Sequence, residues 1–462
     1  MPATAIPRAP GHLPLLGHSL RLLRDPLAYL RSLPAHGDLL RLRFGPVGAV
    51  IVCSPELTRQ VLVDDRTFDK GGPMFERARE VLGNGLATCT HDDHRRQRRL
   101  TQPAFHPQRI PLYAQTMTEQ IGRLTDRWRD GQTIDVLTET RAIAARTVAA
   151  TLFSDMPINR SIGELIDDFT VLGAVAHQRM FTPPPFDRLP TPGKRRYQQA
   201  ITRLHDTIRQ IIDAHRAGGT DHNDLLSILL TSRDHDPHAA QRSQLSESEV
   251  IDQIVTFYIG GTEATAATAA WALHRLGERQ DIEDRLHAEL DAVLGTRPAT
   301  YDDLPQLPLT GRIITETLRL YPPLWLITRT TTKDTLLGGH RVPAGTVIVF
   351  SPYLLHHQPD VFPDPDRFDP DRFAPSSTDP HNPSGSRRTA PRQGSLIPFG
   401  GGARKCIADT FGATEAALAL ATITARWQLR PVPGPQVRPS RGVIFNPRDL
   451  RMRISARTAH SA

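Results

Sequence analysis

One cysteine of this 462-residue chain lies in a segment suited to reactive chemistry. Cys406 ends the stretch Phe399-Gly400-Gly401-Gly402-Ala403-Arg404-Lys405-Cys406. The glycines allow a tight turn and a close approach to a flat partner, because they carry no Cβ. The flanking Arg404 and Lys405 would stabilise a thiolate. A cysteine in this setting is suited to bind a metal rather than to fill a core.

The cysteine count and the apolar pattern limit the kind of protein. The chain has three cysteines, and Cys53 and Cys89 are expected to be ordinary buried residues. Three cysteines exclude a disulfide framework, and Cys406 lacks the companions that a structural zinc site needs. No stretch resembles a signal peptide or reaches the roughly 18 apolar residues of a membrane span. We therefore expect a cytoplasmic protein without a membrane span.

The charge of the chain favours a protein partner over a nucleic acid. The net charge is +7 and the isoelectric point is about 9.6. The arginines are mostly scattered, no nucleic-acid-binding motif accompanies them, and aromatic residues make up only 6% of the chain. We expect an acidic protein partner and no nucleic acid.

A long helix is predicted in the middle of the chain. Ser246 and Glu249 form a capping box, and an apolar periodicity runs from Val250 to Leu276, where Gly277 is expected to end the helix. About 30 residues at 1.5 Å each give roughly 45 Å, enough to cross the molecule. The segment is apolar on nearly all sides, which is typical of a central buried helix.

Shorter elements surround this helix. The pattern is mostly helical from Asp92 to Leu290. Strands are predicted at Gly45–Cys53, Arg341–Phe350 and Arg451–Ser455, and a helix at Pro55–Asp64. Loops are predicted at Thr182–Pro192 and Ala217–Asn223, and a mobile loop at Ser376–Gly394.

A charged pair precedes the cysteine loop. Glu316 and Arg319 lie three residues apart on one helix face, a spacing that most often marks a surface ion pair. Tyr321-Pro322-Pro323 should end that helix. The later segment Phe368–Phe373 offers Arg372 as a third charged member.

The order of four motifs along the chain resembles the cytochrome P-450 superfamily. The motifs are the capped helix with Gly260-Gly261-Thr262-Glu263, then Glu316-x-x-Arg319, then Phe368–Phe373, and finally Phe399–Cys406. The resemblance extends from Pro14–His18 to the last strands. It implies a mainly α fold with small β-sheets (α+β), a triangular helical prism around a buried haem with a long central distal helix. It also implies one domain, 1–462. The β-rich part would be about 1–70 with late strands at 330–350 and 428–456, and the helical part about 71–330 and 396–427.

The resemblance assigns the cofactor-binding residues. It implies a haem b with Cys406 as the axial thiolate ligand of iron and with Glu316, Arg319 and Arg372 as a structural network. The residues implied to contact the haem or its propionates are His94, Arg98, Arg329, Arg404, Phe399, Gly400, Gly260 and Gly261. Arg95, Arg96 and Arg99 are read as a solvated basic face.

The distal helix departs from the family pattern at one position. The family usually has an acid followed by a threonine, whereas here Glu263 is followed by Ala264, with Thr265 one position later. Ala264 cannot donate a hydrogen bond to dioxygen. Thr262 or Thr265 could replace the missing hydroxyl, although Thr265 lies about 100° around the helix from position 264. The sequence favours two alternatives equally. In the first, water molecules relay protons from Glu263 with help from the substrate. In the second, Ala264 packs against the substrate and protons reach the dioxygen by another route.

The implied substrate pocket is apolar. A compact hydrophobic substrate fits best, a terpene of sesquiterpene type, with steroids, fatty acids and macrolides as alternatives. The residues implied to line the pocket are Phe75, Leu82, Val171, Met180, Phe257, Leu324, Trp325, Leu326, Ile327, Ile444 and Phe445.

The reaction implied is that of a monooxygenase that uses dioxygen. No flavin or nicotinamide motif is present, so electrons from NAD(P)H are expected through a separate reductase and an acidic ferredoxin. The ferredoxin would dock on Arg404, Lys405, Arg95 and Arg99 of an expected monomer. The alternatives are a peroxygenase, which Glu263 disfavours, an enzyme of oxidative coupling or desaturation, and a non-enzymatic haem-thiolate binding or sensor protein.

Overall fold

The computed structural model describes residues 5–45, 47–153, 168–169, 192–218, 224–234, 236, 243–375, 394–440 and 442–457. Val171, Met180 and most of the three predicted loops lie outside these ranges. The central helix runs from Glu247 to Glu278, and the predicted capping box of Ser246 and Glu249 is present.

The strands of the described residues are short and form small sheets. They are β1 (Leu39–Phe44), β2 (Val47–Val52), β3 (Phe68–Asp69), β4 (Thr133–Asp135), β5 (Ile327–Thr331), β6 (Thr335–Leu337), β7 (His340–Val342), β8 (Val347–Phe350), β9 (Trp427–Pro431), β10 (Arg438–Pro439), β11 (Pro447–Arg448) and β12 (Arg451–Ala456). The largest sheet has the order β1-β2-β8-β5-β3, and only its β2–β8 pair is parallel. A second sheet has the order β4-β12-β9, while β6-β7 and β10-β11 are isolated pairs.

Helices form most of the rest. Besides the central helix, the α-helices are Ser19–Arg24, Pro26–Ser32, Pro55–Val63, Pro73–Leu82, His91–Thr101, Ile110–Thr125, Val136–Leu152, Pro192–Gly218, Leu225–Thr231, Gln280–Val293, Pro308–Leu320, Pro352–His356 and Asp409–Arg426. The predicted class, mainly α with small β-sheets, is confirmed.

Two boundaries differ from the sequence prediction. Gly277 does not end the central helix, which continues to Glu278. A Cβ at Gly277 would lie 3.0 Å from the Leu429 carbonyl oxygen and 2.5 Å from Met452 Cε, so this glycine allows close packing of the helix on β9 and β12. The strand predicted at Arg341–Phe350 is instead two strands, β7 and β8, with Gly345 at a φ of +78° in the turn between them.

Two hydrophobic cores meet near the middle of the molecule. One is built from the helices and the other from the largest sheet, and Tyr321 packs against both. Trp271 of the central helix stacks on Tyr321 with ring centroids 3.9 Å apart, and its indole N–H donates to the Phe445 carbonyl at 2.6 Å. This aromatic contact ties the central helix to the sheet core.

Candidate active site

The cysteine loop has a backbone that its glycines require. Gly402 has a φ of +64°, and a Cβ there would collide with the Leu62 carbonyl oxygen. The Cys406 N–H donates to the Phe399 carbonyl at 2.9 Å, which closes the turn. Burial raises the pKa of the Cys406 thiol, and the Ala408 N–H opposes this rise. A metal ion would reverse it, because a coordinating thiol is deprotonated.

Cys406 borders a cavity of about 340 Å³ between the central helix and the cysteine loop. The sulfur-bearing side chain keeps accessible surface although protein surrounds it, because it lines this cavity. Most of the wall is apolar, including Leu86, Phe105, Val148, Phe257, Leu324, Ile327, Phe350 and Phe411. The cavity therefore suits a large apolar group held at one point by sulfur.

Basic side chains from four separate segments converge on this cavity. His94, Arg98, Arg329 and Arg404 all line it, as does Lys70, which the sequence reasoning missed. Lys70 Nζ donates to the carbonyl oxygens of Leu86 and Ala87, at 3.1 and 2.7 Å. Arg98 donates to the Lys405 carbonyl at 2.6 Å, which fixes the histidine-bearing helix beside the cysteine loop.

The electrostatics of this cluster favour an anion. Burial and then the charges of Arg329 and Arg404 lower the pKa of Lys70 to about 7. Burial and then Arg404 lower the pKa of Arg329 to about 10. Carboxylates neutralise part of this positive charge, since Arg404 pairs with Asp69 at 2.5 Å and lies 3.4 Å from Asp65. Negative charge added at the cavity would relieve the remaining repulsion.

His94 provides the test of whether a haem fits. Burial, followed by Arg404 and Lys70, lowers the pKa of His94 to about 2, so the ring is neutral. Its buried Nδ1 has no hydrogen-bond partner among the described residues, which is costly unless a ligand supplies one. A cysteine sulfur, an apolar wall and a cluster of basic groups at the cavity match a haem with its two propionates.

The central helix lies along the other side of the cavity. Gly260, Gly261, Ala264 and Thr265 line it. A Cβ at Gly260 would meet nothing within 4 Å, whereas at Gly261 it would lie 2.9 Å from Val148 Cγ2. Gly260 thus leaves the cavity open, and Gly261 also permits close packing on the helix Val136–Leu152.

Glu263 and Thr262 are not among the residues that line the cavity. The Glu263 carboxylate accepts hydrogen bonds from Arg141 at 2.8 and 3.1 Å. The Thr262 hydroxyl is buried without a partner among the described residues. Thr268, which the sequence reasoning missed, lines the cavity one turn further, and its hydroxyl donates to the Ala264 carbonyl at 2.9 Å.

The structure brings Glu316, Arg319 and Arg372 together. Arg319 donates to the two carboxylate oxygens of Glu316 at 2.7 and 2.8 Å, and both side chains are fully buried. Arg372 donates to Glu316 at 3.3 Å. Arg319 also donates to the carbonyls of His356 and Pro365, so the pair joins its helix to the segment before the cysteine loop.

The predicted pocket residues divide into two groups. Phe75, Phe257, Leu324 and Ile327 line the cavity, whereas Leu82, Trp325, Leu326, Ile444 and Phe445 do not. Trp325 and Phe445 instead belong to the sheet core, where the Trp325 indole donates to the Gly442 carbonyl at 2.6 Å. Neighbouring side chains of an extended segment point to opposite sides, so Leu324 can face the cavity while Trp325 enters the core.

A buried acid behind the cavity was also missed. Glu415 lies on the helix Asp409–Arg426, between the cavity-lining Gly412 and Ala416. Neither carboxyl oxygen has a hydrogen-bond partner among the described residues. Burial raises its pKa to about 8, and the nearby Thr147 hydroxyl opposes the rise. The one sequence signal was a lone acid in an otherwise apolar run.

Comparison with known proteins agrees with this geometry. The family model described as cytochrome P-450 matches residues 7–450. The chain is 44% identical to pentalenene oxygenase of Streptomyces avermitilis, over 97% of both chains. It is also 44% identical to cyclooctat-9-en-7-ol 5-monooxygenase of Streptomyces melanosporofaciens, over 92% of this chain and 90% of that one.

Solved structures show the same fold. The crystal structure of the cytochrome P450DA heme domain has a TM-score of 0.86 at 24% identity, covering 99% of both chains. The family match, the curated relatives and the arrangement around Cys406 lead to one conclusion: the chain belongs to the cytochrome P-450 family.

Proposed function

We propose that this monooxygenase inserts one atom of dioxygen into a terpene, of sesquiterpene type, in secondary metabolism. The observation that carries the proposal is the apolar cavity that begins at the Cys406 side chain. Apart from the basic cluster that we assign to the haem propionates, its wall is mostly apolar. The relatives named for pentalenene and cyclooctat-9-en-7-ol are terpene-oxidising enzymes, which supports the substrate class.

The Cys406 thiolate would bind the iron of the proposed cofactor, haem b. When bound, it supplies the iron at which dioxygen is activated, and a thiolate ligand favours O–O cleavage. His94, Arg98, Arg329 and Arg404 would hold the propionates, with Lys70 as a further donor. The fixed position of Arg98 on the Lys405 carbonyl supports this assignment, since it joins the propionate end to the cysteine loop.

Protons are proposed to reach the cavity by a water relay fed by Glu263. Arg141 donates two hydrogen bonds to the Glu263 carboxylate, which lies next to Ala264 in the chain. Thr265 and Thr268 place side chains at the cavity and are the candidates to pass protons on. Ala264 excludes a hydroxyl at its own position and leaves room for water or substrate there.

Electrons come from outside this chain, and we propose an acidic ferredoxin and its reductase as their source. Arg95 is exposed on the helix beside the cysteine loop. Lys405 is half exposed and pairs with Asp409 at 2.5 Å, and Arg99 pairs with Asp234 at 2.7 Å. Arg404 is buried in its pair with Asp69, so it is unsuited to docking and the sequence expectation was wrong on that point. A monomer in the cytoplasm is the proposed working form.

The first test is spectroscopic. The reduced protein under carbon monoxide should show the red-shifted Soret band of a thiolate-ligated haem. Cys406→Ser should lose that band, because a neutral hydroxyl replaces the thiolate. Cys89→Ser, a buried cysteine outside the cavity lining, serves as the control and should keep it. An unchanged band in Cys406→Ser would contradict the assignment.

A second experiment separates the alternatives. Terpene hydrocarbons and alcohols are titrated for the ferric spin-state change, and those that bind are incubated with ferredoxin, reductase, NADPH and isotopically labelled dioxygen. Label in the product supports monooxygenation. Turnover with hydrogen peroxide alone would favour a peroxygenase, unlabelled products would favour coupling or desaturation, and binding without turnover would favour a sensor.

A further inference from the structure

Five leucines near the N-terminus face solvent. Over residues 13–23 the exposed fractions are 38% for Leu13, 91% for Leu15, 54% for Leu16, 55% for Leu20 and 70% for Leu23. We call these five side chains the leucine surface. They are half of the exposed large apolar side chains of the described residues, the others being Val47, Val63, Leu112, Leu324 and Leu336. Scattered exposed leucines need no explanation, but five within eleven consecutive residues, on one turn and the helix that follows it, indicate an interaction site.

The turn that carries Leu15 is held in place by hydrogen bonds. Leu13 and Gly17 exchange two backbone hydrogen bonds, at 2.8 and 2.9 Å. Beneath them the buried His18 accepts the Arg43 N–H at Nδ1, at 2.9 Å. Leu15 has a φ of +62°, a left-handed conformation that is rare for a bulky residue. The fold thus accepts a strained backbone where its most exposed leucine projects.

The helix Ser19–Arg24 adds leucines on its outer side. Leu22 packs partly against the sheet core, and Leu20 and Leu23 lie away from it at 100° per residue. Arg24, four residues after Leu20, falls on the same outer side. Core packing therefore accounts for one leucine of this helix and leaves two outside, beside an arginine.

Arginines outnumber acidic residues in the segment that carries the leucine surface. Residues 5–45 contain six arginines and two aspartates. Of the arginines, Arg31 pairs with Asp366, and Arg8, Arg21, Arg24, Arg41 and Arg43 are exposed. Partial burial and then the charge of Arg8 lower the pKa of His12, so the positive field reaches the turn. Exposed leucines and exposed arginines in the same segment are complementary to an anionic lipid surface.

We propose that the leucine surface docks this protein on an anionic phospholipid bilayer as a peripheral contact. The leucines enter the interfacial layer, and the arginines pair with lipid phosphates. A second copy of the chain is a poor occupant, since a symmetric contact would bring the same arginines together. No helix among the described ranges is long and apolar enough to cross a membrane, so the contact lies on the bilayer.

The test is flotation of the haem-loaded protein with vesicles. Wild type is compared on phosphatidylglycerol–phosphatidylethanolamine vesicles and on phosphatidylcholine vesicles. The variant Leu15→Ser/Leu20→Ser/Leu23→Ser should lower the partition coefficient on the anionic vesicles about tenfold or more. Arg21→Ser/Arg24→Ser and added salt should each weaken binding. The matched control Val63→Ser/Leu112→Ser/Leu336→Ser removes three exposed apolar side chains elsewhere and should bind as wild type does.

Three results would overturn the proposal. Wild type could fail to float with the anionic vesicles. The matched control could lose as much binding as the leucine variant, which would show general adhesion. Wild type could sediment as a dimer that the leucine variant dissociates, which would assign the surface to a second copy. The carbon monoxide spectrum of each variant shows whether it has folded around haem.

Discussion

Ala264 lies at a position of the proposed active site where the family pattern usually has a threonine. It lines the cavity, its carbonyl accepts the Thr268 hydroxyl, and the neighbouring Glu263 is held by Arg141. A proton donor needs hydrogen-bond reach of the atom that it protonates, directly or through one water. With a methyl group at position 264, the proposed relay would depend on water and on the cavity-lining Thr265 and Thr268.

Ala264→Thr should therefore raise the product formed per electron consumed relative to Ala264→Val. Both variants add similar bulk to the cavity, but only threonine adds a hydroxyl. The measurement is product against NADPH consumed at saturating substrate, with affinity followed by the spin-state titration. Equal coupling in the two variants, at comparable affinity, would show that the missing hydroxyl does not limit proton delivery.

Glu415 should make the stability of the protein depend on pH. Its folded-state pKa of about 8 lies above the usual 4.5, so the folded state keeps a proton that the unfolded state releases. This contribution to stability is complete below about pH 4.5 and is lost as the pH rises through about 8. Between those values the free energy of unfolding should fall by up to about 1.4 kcal/mol per pH unit.

Glu415→Gln removes this titration and should flatten the slope. Urea unfolding of the haem-loaded protein between about pH 5 and about pH 8 measures the difference from wild type. Glu119→Gln, on an exposed helix face, controls for the substitution itself. A slope unchanged by Glu415→Gln would mean that the buried carboxyl is ionised in the folded protein.

At the scale of elements, the packing of the central helix on β9 depends on a residue without a side chain. Gly277→Ala would place a methyl group 3.0 Å from the Leu429 carbonyl oxygen, a contact that backbone cannot easily relieve. Overpacking of this kind costs about 1–3 kcal/mol. Gly122→Ala, where a Cβ meets nothing within 4 Å, should instead stabilise its helix by up to about 1 kcal/mol. The free energy of unfolding of both variants tests the contrast, and equal stability of the two would contradict it.

The features that could be predicted from the sequence are those that depend on residue spacing within a single element. The capping box and the Glu316–Arg319 pair depend on spacing within one helix, so they could be read directly. Lys70 could not, because its place in the cavity depends on β3 pairing with β5, far along the chain. Trp325 was assigned to the pocket wrongly, because the sequence does not show which side of an extended segment faces the cavity.

At the scale of the whole molecule, the active site lies where elements of the helical part and of the sheet part meet. The central helix and the helix after Cys406 bring apolar walls, and the sheet brings Arg329 and Ile327 on β5. The buried network of Glu316 and Arg319 lies outside the cavity and joins the segments that carry the cysteine loop. Tight packing thus fixes the cavity, while basic side chains line part of its wall and Arg95 is exposed on the helix beside the cysteine loop.

That surface charge leads to a prediction about electron transfer. Arg95 is exposed on the helix His91–Thr101, which Arg98 joins to the cysteine loop, whereas Arg451 is exposed on β12, which pairs with β4 and β9. Arg95→Glu should therefore lower the second-order rate of reduction by an acidic ferredoxin several-fold, and Arg451→Glu, with the same change in net charge, should leave it near wild type. Stopped-flow reduction at increasing ionic strength measures both effects, and the wild-type rate should fall as salt rises, because steering between opposite charges is screened. A rate independent of salt, or an equal loss in both variants, would show that docking does not use the basic face beside Cys406.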